Sequence, residues 1–181
     1  MPPAYYKYRN EDVINFYSKI IEAIPDCEIV LYNFEKLCGY KFDLTTVKEL
    51  VKKFPKQIIG VKDSSYNLYE ELKLENFSVL PGSETKLISG LKIGCSGIIT
   101  ATCNVTAELS RKVYDDFIKD NSTAENQKLC DVRKVFESTE TGVMGSVTTS
   151  LFSLWGSAIA TGWAAVSWWF VTFFSCNALL S

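Results

Sequence analysis

Histidine is absent from the chain. That excludes a Ser-His-Asp or Cys-His centre. It leaves any acid–base step to Lys, Tyr, Asp, Glu or Cys. Cys-x-x-Cys pairs are absent too: Cys27, Cys38, Cys95, Cys103, Cys130 and Cys176 are scattered. A zinc site would have to be assembled from distant positions, so no metal is expected. Scattered cysteines without a signal peptide point to a reducing, cytoplasmic setting. No Gly-x-Gly-x-x-Gly follows a strand-like run and no Gly-Lys-Ser or Gly-Lys-Thr loop occurs, so the nucleotide-binding open sheets lose support. Excess charge of one sign is also missing. The net charge of −2 gives no electrostatic case for nucleic acid. The short clusters Lys7-Tyr8-Arg9 and Lys52-Lys53 read as solvated surface.

Charge itself is missing after Glu140, and all four Trp lie beyond that point. The chain therefore reads as a domain over 1–138 and an uncharged apolar tail over 139–181. Leu151 to Ser175 is long enough to cross a bilayer. Three readings of the tail compete. It is a membrane anchor with Arg133 and Lys134 on the cytoplasmic side, a buried helix covering exposed apolar surface, or a foreign segment. The abrupt change of composition near Glu137 to Thr141 favours the third.

The first 140 residues alternate between helical and strand-like pattern. Glu11 to Ile24 and Thr45 to Phe54 have apolar residues at helical spacing. Asp43 or Thr45 can cap the second of these. Glu28 to Tyr32 and Gln57 to Lys62 are short apolar runs, expected as strands buried on both faces. Tyr66 to Leu74 reads as a short helix, and Phe77 to Leu80 as a third strand ended by Pro81-Gly82. Ser83 begins a helix with Gly94 just past its end. Gly97 to Thr100 is expected as a fourth strand, and Val105 to Ile118 and Ala124 to Phe136 as helices. This alternation predicts parallel βαβ units. Four strands suit a doubly wound sheet or part of a (βα)8 barrel. A whole barrel needs about 250 residues, and this chain has 181.

Ligands of parallel α/β folds gather at the C-terminal strand ends. Two strands here end on a reactive side chain, Tyr32 and Lys62. An amine set against apolar strand ends is poorly solvated, which favours the neutral nucleophile. A phenol nearby can move protons while a carbinolamine loses water. Gly60 would let a substrate approach the backbone. Taken singly, Lys62 also reads as surface and Tyr32 as a packed aromatic.

Several segments then occur in a telling order. They are Leu31-Tyr32-Asn33 with Gly39, Ile59-Gly60-Val61-Lys62-Asp63-Ser64-Ser65, Leu80-Pro81-Gly82-Ser83-Glu84, and Gly97-Ile98-Ile99-Thr100 with Asn104-Val105. Together with Pro3 and Tyr5-Tyr6, they resemble the dihydrodipicolinate synthase / N-acetylneuraminate lyase family of pyruvate-dependent class I aldolases. The resemblance runs from about Pro2 to Phe136. It implies a partial (βα)8 TIM barrel, about its last four βα units. It implies a lyase, aldolase or synthase acting on pyruvate or a related 2-oxo acid. Lys62 would form the imine, and Tyr32 would relay protons. Tyr6 would complete the relay across a subunit contact in a homotetramer. Gly82 and Ile99 would line the pocket with backbone groups, and Ser64 and Glu84 would bind substrate hydroxyls. Neither metal nor organic cofactor is implied.

The chain departs from that pattern in three ways. Glu35 stands where members usually have Pro. Leu37 stands where the synthases place an Arg that holds the second substrate's carboxylate, which favours a lyase or aldolase. The Gly-Thr-Thr-Gly-Glu-like loop that holds the pyruvate carboxylate does not occur. The first four strands of such a barrel would lie before Met1, so the chain is expected to be an inactive fragment. The rival expectation is a non-catalytic half barrel that associates through its apolar surfaces or is held at a membrane by its tail.

Overall fold

The computed structural model describes residues 1–4 and 6–139. Tyr5 and the expected apolar tail from residue 140 on lie outside the described residues. Among the described residues no helix is long and apolar enough to cross a membrane. The described residues divide into two compact units, the second beginning at Ala101.

The first unit opens with α1 (Asn10–Ala23), which buries Val13, Ile14, Tyr17 and Ile21 along one face. Its N-terminus is closed by the Arg9 N–H donating to the Asp12 carboxylate at 3.0 Å and the Asp12 N–H donating to the Arg9 carbonyl at 3.1 Å. Strand β1 (Ile29–Asn33) follows, then a single helical turn, α2 (Glu35–Cys38). The sequence pattern does not show that turn. Gly39 closes it in the left-handed region, φ +70°. Helix α3 (Leu44–Lys53) is capped by Asp43, whose carboxylate accepts the Thr46 N–H at 2.7 Å. Strands β2 (Ile58–Asp63) and β3 (Ser78–Pro81) come next. Ser83 then caps a 3-10 turn, Glu84–Lys86, that runs into α4 (Leu87–Lys92).

The three strands form one parallel sheet in the order β1-β2-β3. Tyr32 pairs with Lys62 and Asn33 with Asp63; Lys62 pairs with Leu80. Helices α1 and α3 supply Val13, Tyr17, Val47 and Leu50 to a core shared with Leu31 and Val61 of the sheet. That arrangement follows from the patterns of the elements. The helices have one apolar stripe each, and the central strand β2 is nearly all apolar.

Three expectations need correction. The segment Gly97 to Thr100 is not a regular strand. Ser96 N–H donates to the Val79 carbonyl at 3.1 Å, and the next bond to β3 runs from Ile99 to Pro81, also at 3.1 Å. A regular parallel ladder would use residue 98. The extra residue is absorbed at Gly97, φ +152°, as in a bulge. The expected helix over 66–74 is a turn clasped onto Asp63, entered through Tyr66 at φ +55°. One α-type bond is present there, Leu72 N–H to Leu68 O at 2.8 Å, beside a 3-10-type bond from Glu71 N–H to the same carbonyl at 3.1 Å. Finally, β1 is not buried on both faces. It is an edge of this sheet, and Val30 is 39% exposed.

The second unit contains α5 (Cys103–Asp120) and α6 (Asn126–Thr139), close to the expected helices. Asn121 ends α5 in the left-handed region, φ +53°. Arg133 of α6 reaches Thr102 Oγ1 at 2.9 Å, and on α5 the Arg111–Asp115 and Lys112–Asp116 pairs lie one turn apart.

Candidate active site

The C-terminal ends of the strands are laced together one step past the sheet. The Asn33 carbonyl accepts Ser64 N–H at 2.9 Å, the Asp63 carbonyl accepts Gly82 N–H at 3.0 Å, and the Pro81 carbonyl accepts Ile99 N–H. Tyr32, Lys62, Ser64, Gly82 and Ile99 are therefore set along one rim by backbone bonds alone. The Gly82 and Ile99 N–H groups are engaged in that lacing.

Lys62 is 9% exposed. Its Nζ lies 4.2 Å from the centroid of the Tyr32 ring, over the ring face. That ring also stacks on Phe34, centroids 5.9 Å apart. The pairing of Tyr32 with Lys62 follows from period-two alternation. Paired residues of parallel neighbours point to the same side of the sheet. Burial pushes the Tyr32 phenol up, and a hydrogen bond with the Ser64 side chain pulls part of the way back.

Asn33 and Asp63, one residue further on, are fully buried and point to the opposite face. Asn33 Nδ2 donates to Asp63 Oδ1 at 2.8 Å and to Asn67 Oδ1 at 2.8 Å. The other Asp63 oxygen accepts the N–H groups of Leu68 (2.8 Å) and Tyr69 (3.0 Å). Asn33 Oδ1 accepts Phe42 N–H at 3.1 Å, and Asn67 Nδ2 donates to Phe42 O at 2.8 Å. Residue-by-residue reading gave these three polar side chains no role. The available signal was two polar residues closing two apolar strands, in a place where burial demands partners.

The glycines at the rim serve close packing. A Cβ on Gly60 would meet the Ser78 carbonyl oxygen at 2.8 Å, so β3 packs directly against Gly60. A Cβ on Gly82 would collide with Ser64 Oγ and stand 3.0 Å from Ser64 Cβ. Glu84 has no exposed surface, and its carboxylate accepts the Thr100 hydroxyl at 3.0 Å. Tyr6 lies in the segment before α1, 67% exposed, with its ring edge-on to Tyr8. The structure thus brings Tyr32, Lys62, Ser64 and Gly82 into direct proximity. It sets Tyr6 in an exposed segment and Glu84 in the interior.

The two departures on α2 also have a setting. The Glu35 N–H donates to Ser65 Oγ at 3.0 Å, a bond that a proline at this position could not make. Leu37 is exposed.

The model of the Dihydrodipicolinate synthetase family matches residues 1–152. The chain belongs to that family. It is 32% identical over 120 residues to a 2-dehydro-3-deoxy-D-gluconate/2-dehydro-3-deoxy-phosphogluconate aldolase of Picrophilus torridus, covering 64% of this chain and 44% of the relative. It is 31% identical over 118 residues to a 4-hydroxy-tetrahydrodipicolinate synthase of Methanopyrus kandleri, covering 62% and 39%. Among solved structures it resembles a dihydrodipicolinic acid synthase family protein of E. coli K12 in complex with pyruvate. That match has a TM-score of 0.64 and 24% identity, over 75% of this chain and 48% of the other. The family is one of pyruvate-dependent aldolases and synthases, and its members here are carbon–carbon lyases by kind. The chain spans about two fifths of the length of these curated relatives and about half of the solved one. Its three-stranded parallel sheet with flanking helices corresponds to part of their barrel.

Proposed function

We propose that this chain carries the imine-forming side of a class I aldolase or lyase acting on pyruvate or a related 2-oxo acid. The observation that carries the reading is Lys62 Nζ over the Tyr32 ring at paired strand ends. The neutral amine attacks the 2-oxo carbon and gives a carbinolamine. Loss of water gives the imine, which then withdraws electrons from the bond to the next carbon. Each step moves a proton, and the Tyr32 hydroxyl, on the ring that lies against Lys62 Nζ, is the group at hand. Tyr6, exposed ahead of α1, suits a relay group presented to a second subunit of a homotetramer.

Leu37 in place of an arginine argues for a lyase or aldolase over a synthase that holds a second carboxylate. The Picrophilus aldolase makes a 2-dehydro-3-deoxy sugar acid the first substrate to test. Ser64 is the rim hydroxyl able to meet such a substrate. Glu84 is enclosed, so it would bind a substrate hydroxyl only after the side chains around it move. Because the chain spans less than half of that relative, we place full activity in a complete barrel.

Borohydride trapping with pyruvate, read by peptide mass spectrometry, tests the reading. The reduced adduct is expected on Lys62. No adduct on Lys62 in a folded protein carrying the complete barrel would end it. An adduct in the complete barrel but not in this chain alone would place the carboxylate-holding part of the pocket outside the described residues.

A second reading rests on the sheet edge. Strand β1 has no partner on its outer side among the described residues, and beside that edge Val30, on the sheet face of Tyr32, is exposed. The chain would then associate through this edge without catalysis. It predicts concentration-dependent self-association that a Val30→Lys substitution abolishes. A chain that sediments as a monomer at all concentrations would sink it.

A further inference from the structure

The Tyr32 ring has two partners on its own face of the sheet. Lys62 Nζ stands over it from β2, 4.2 Å from the centroid. Phe34 lies two residues further along the chain from Tyr32 and so on the same side. The two rings stand with centroids 5.9 Å apart and planes 26° apart. That spacing and tilt are those of an offset stack. No strand flanks β1 on its outer side among the described residues. Sideways support from the sheet therefore reaches the Tyr32 ring from β2 alone, and Phe34 supplies support along the chain.

Phe34 is anchored without help from Tyr32. Its carbonyl accepts the N–H groups of Leu37 at 3.0 Å and Cys38 at 3.2 Å, and the Cys38 thiol at 3.4 Å. The next N–H, that of Glu35, is tied to Ser65 Oγ in the loop after β2 at 3.0 Å. The α2 turn thus fixes the backbone that carries the Phe34 ring.

We infer that Phe34 is a positioning residue for the proposed reaction: stacked on Tyr32, it holds that ring with its face toward the Lys62 amine. The inference rests on the imine reading for its purpose but not for its geometry. A tyrosine ring is rigid, so one setting of its two side-chain torsions places both parts that matter. These are the face that attracts the ammonium and the hydroxyl proposed to move protons. A flat partner fixes the tilt of the ring as well as its place. An aliphatic chain of similar bulk would fill the space and leave the tilt free.

The test uses the full chain labelled with carbon-13 at the ε-carbon of lysine, followed by NMR across a pH titration. The Lys62 signal is assigned by its loss in Lys62→Arg. In the wild type the Lys62 ε-protons should resonate upfield of those of the other lysines, because they adjoin an amine held over a ring face. Phe34→Leu keeps apolar bulk. It should move these protons back toward the other lysines and lower the midpoint of the Lys62 titration by about half a pH unit, the size of a weak cation–π contact. Tyr32→Leu should do at least as much, and adding Phe34→Leu to it should change nothing further. Phe34→Tyr, which keeps a flat partner, should hold both readings at their wild-type values. If Phe34→Leu fails to fold, Phe34→Met, a flexible filler of the same space, decides by the same criteria. Unmoved Lys62 signals in a folded Phe34→Leu variant would overturn the inference. So would an equal shift when residue 32 is already leucine, since Phe34 would then act on Lys62 by burial alone. Borohydride trapping is scored separately. Absence of an adduct in a complete barrel would sink the imine reading and leave the Lys62 signals to judge the stack.

Discussion

The Nζ of Lys62 stands 4.2 Å from the centroid of the Tyr32 ring, and the two residues are register partners on neighbouring parallel strands. One residue therefore offers two different services. Its ring face attracts the ammonium form of the lysine. In the proposed reaction its hydroxyl, on the ring edge, would transfer protons once the amine has reacted.

The two services separate by substitution. Lys62→Arg keeps a cation for the ring and should give no borohydride adduct. Tyr32→Phe keeps the ring and should still form the adduct, about 10²- to 10⁴-fold more slowly, the usual worth of a positioned acid or base. The time course of trapping by intact-mass spectrometry measures both. Wild-type rates in Tyr32→Phe would remove the phenol from the relay.

Two rim glycines should respond differently to the same added methyl group. Gly60→Ala drives a Cβ toward the Ser78 carbonyl, which belongs to a neighbouring strand and cannot turn away. A loss of about 1–3 kcal/mol in urea unfolding is expected. Gly82→Ala meets Ser64 Oγ, which can rotate, and Ser64 Cβ at 3.0 Å and Cα at 3.1 Å, which must give by only a few tenths of an ångström. Its effect should fall more on trapping kinetics than on stability, because moving Ser64 changes the surroundings of the Tyr32 phenol. Equal effects of both changes on stability and rate would contradict this division.

The parts legible in the sequence are those where pattern and packing agree. Val13, Tyr17, Val47 and Leu50 sit at helical spacing and all enter the core. Ile58 to Lys62 is apolar enough to be central, and it is the middle strand. The turn over 64–72 is not legible in this way, because its local pattern is helical while a carboxylate at Asp63 supplies stronger bonds to Leu68 and Tyr69. Local propensity loses to a buried charged acceptor. The fourth strand fails for a related reason. Ile98 and Ile99 read as strand, but Gly97 lets the chain insert a residue and break the ladder. The pairing of Tyr32 and Lys62, which the proposed reaction uses, is legible since both close an apolar run. Its supporting polar pair is not, because burial of Asn33 and Asp63 is a property of the packed sheet.

The cap of α3 is a stability prediction independent of chemistry. Burial alone would push the Asp43 carboxyl up. The hydrogen bonds from the Thr46 N–H and the Asn10 amide outweigh it and leave the group below its usual range. Asp43→Ala should cost about 1 kcal/mol in chemical denaturation, and Asp43→Asn clearly less. The stabilisation is fully present above the ordinary carboxylate pKa and should be lost as pH falls through the lower folded one. An Asp43→Ala variant as stable as wild type at neutral pH would show the cap to be idle.

Tyr17 offers the opposite case. Its ring is packed in the core against Phe42, but its buried hydroxyl has no hydrogen-bond partner among the described residues. A buried hydroxyl left unpaired is costly. Tyr17→Phe should therefore match or exceed wild-type stability, by up to about 1 kcal/mol. A clear loss of thermal stability would mean that the hydroxyl is satisfied by bound water.

The thiol of Cys95 should make the fold sensitive to alkali. It is buried, and its Sγ lies 3.6 Å from the Tyr69 carbonyl, placed to donate to it. Burial pushes the thiol up from 9.0 to about 11, and the nearby Asp63 carboxylate pushes the same way, while Lys73 opposes them. Above pH 9 the unfolded chain gives up this proton while the folded chain keeps it. The contribution of this group is therefore complete below pH 9 and declines as pH rises toward the folded value near 11. One group can account for a slope of at most about 1.4 kcal/mol per pH unit. Unfolding free energies measured by urea titration between pH 8 and pH 11 should fall in wild type and fall less steeply in Cys95→Ala. The variant leaves a small cavity, so its stability at pH 8 is expected to be lower, and the comparison lies in the slope alone. Parallel curves for the two proteins would remove Cys95 as the source of alkaline sensitivity.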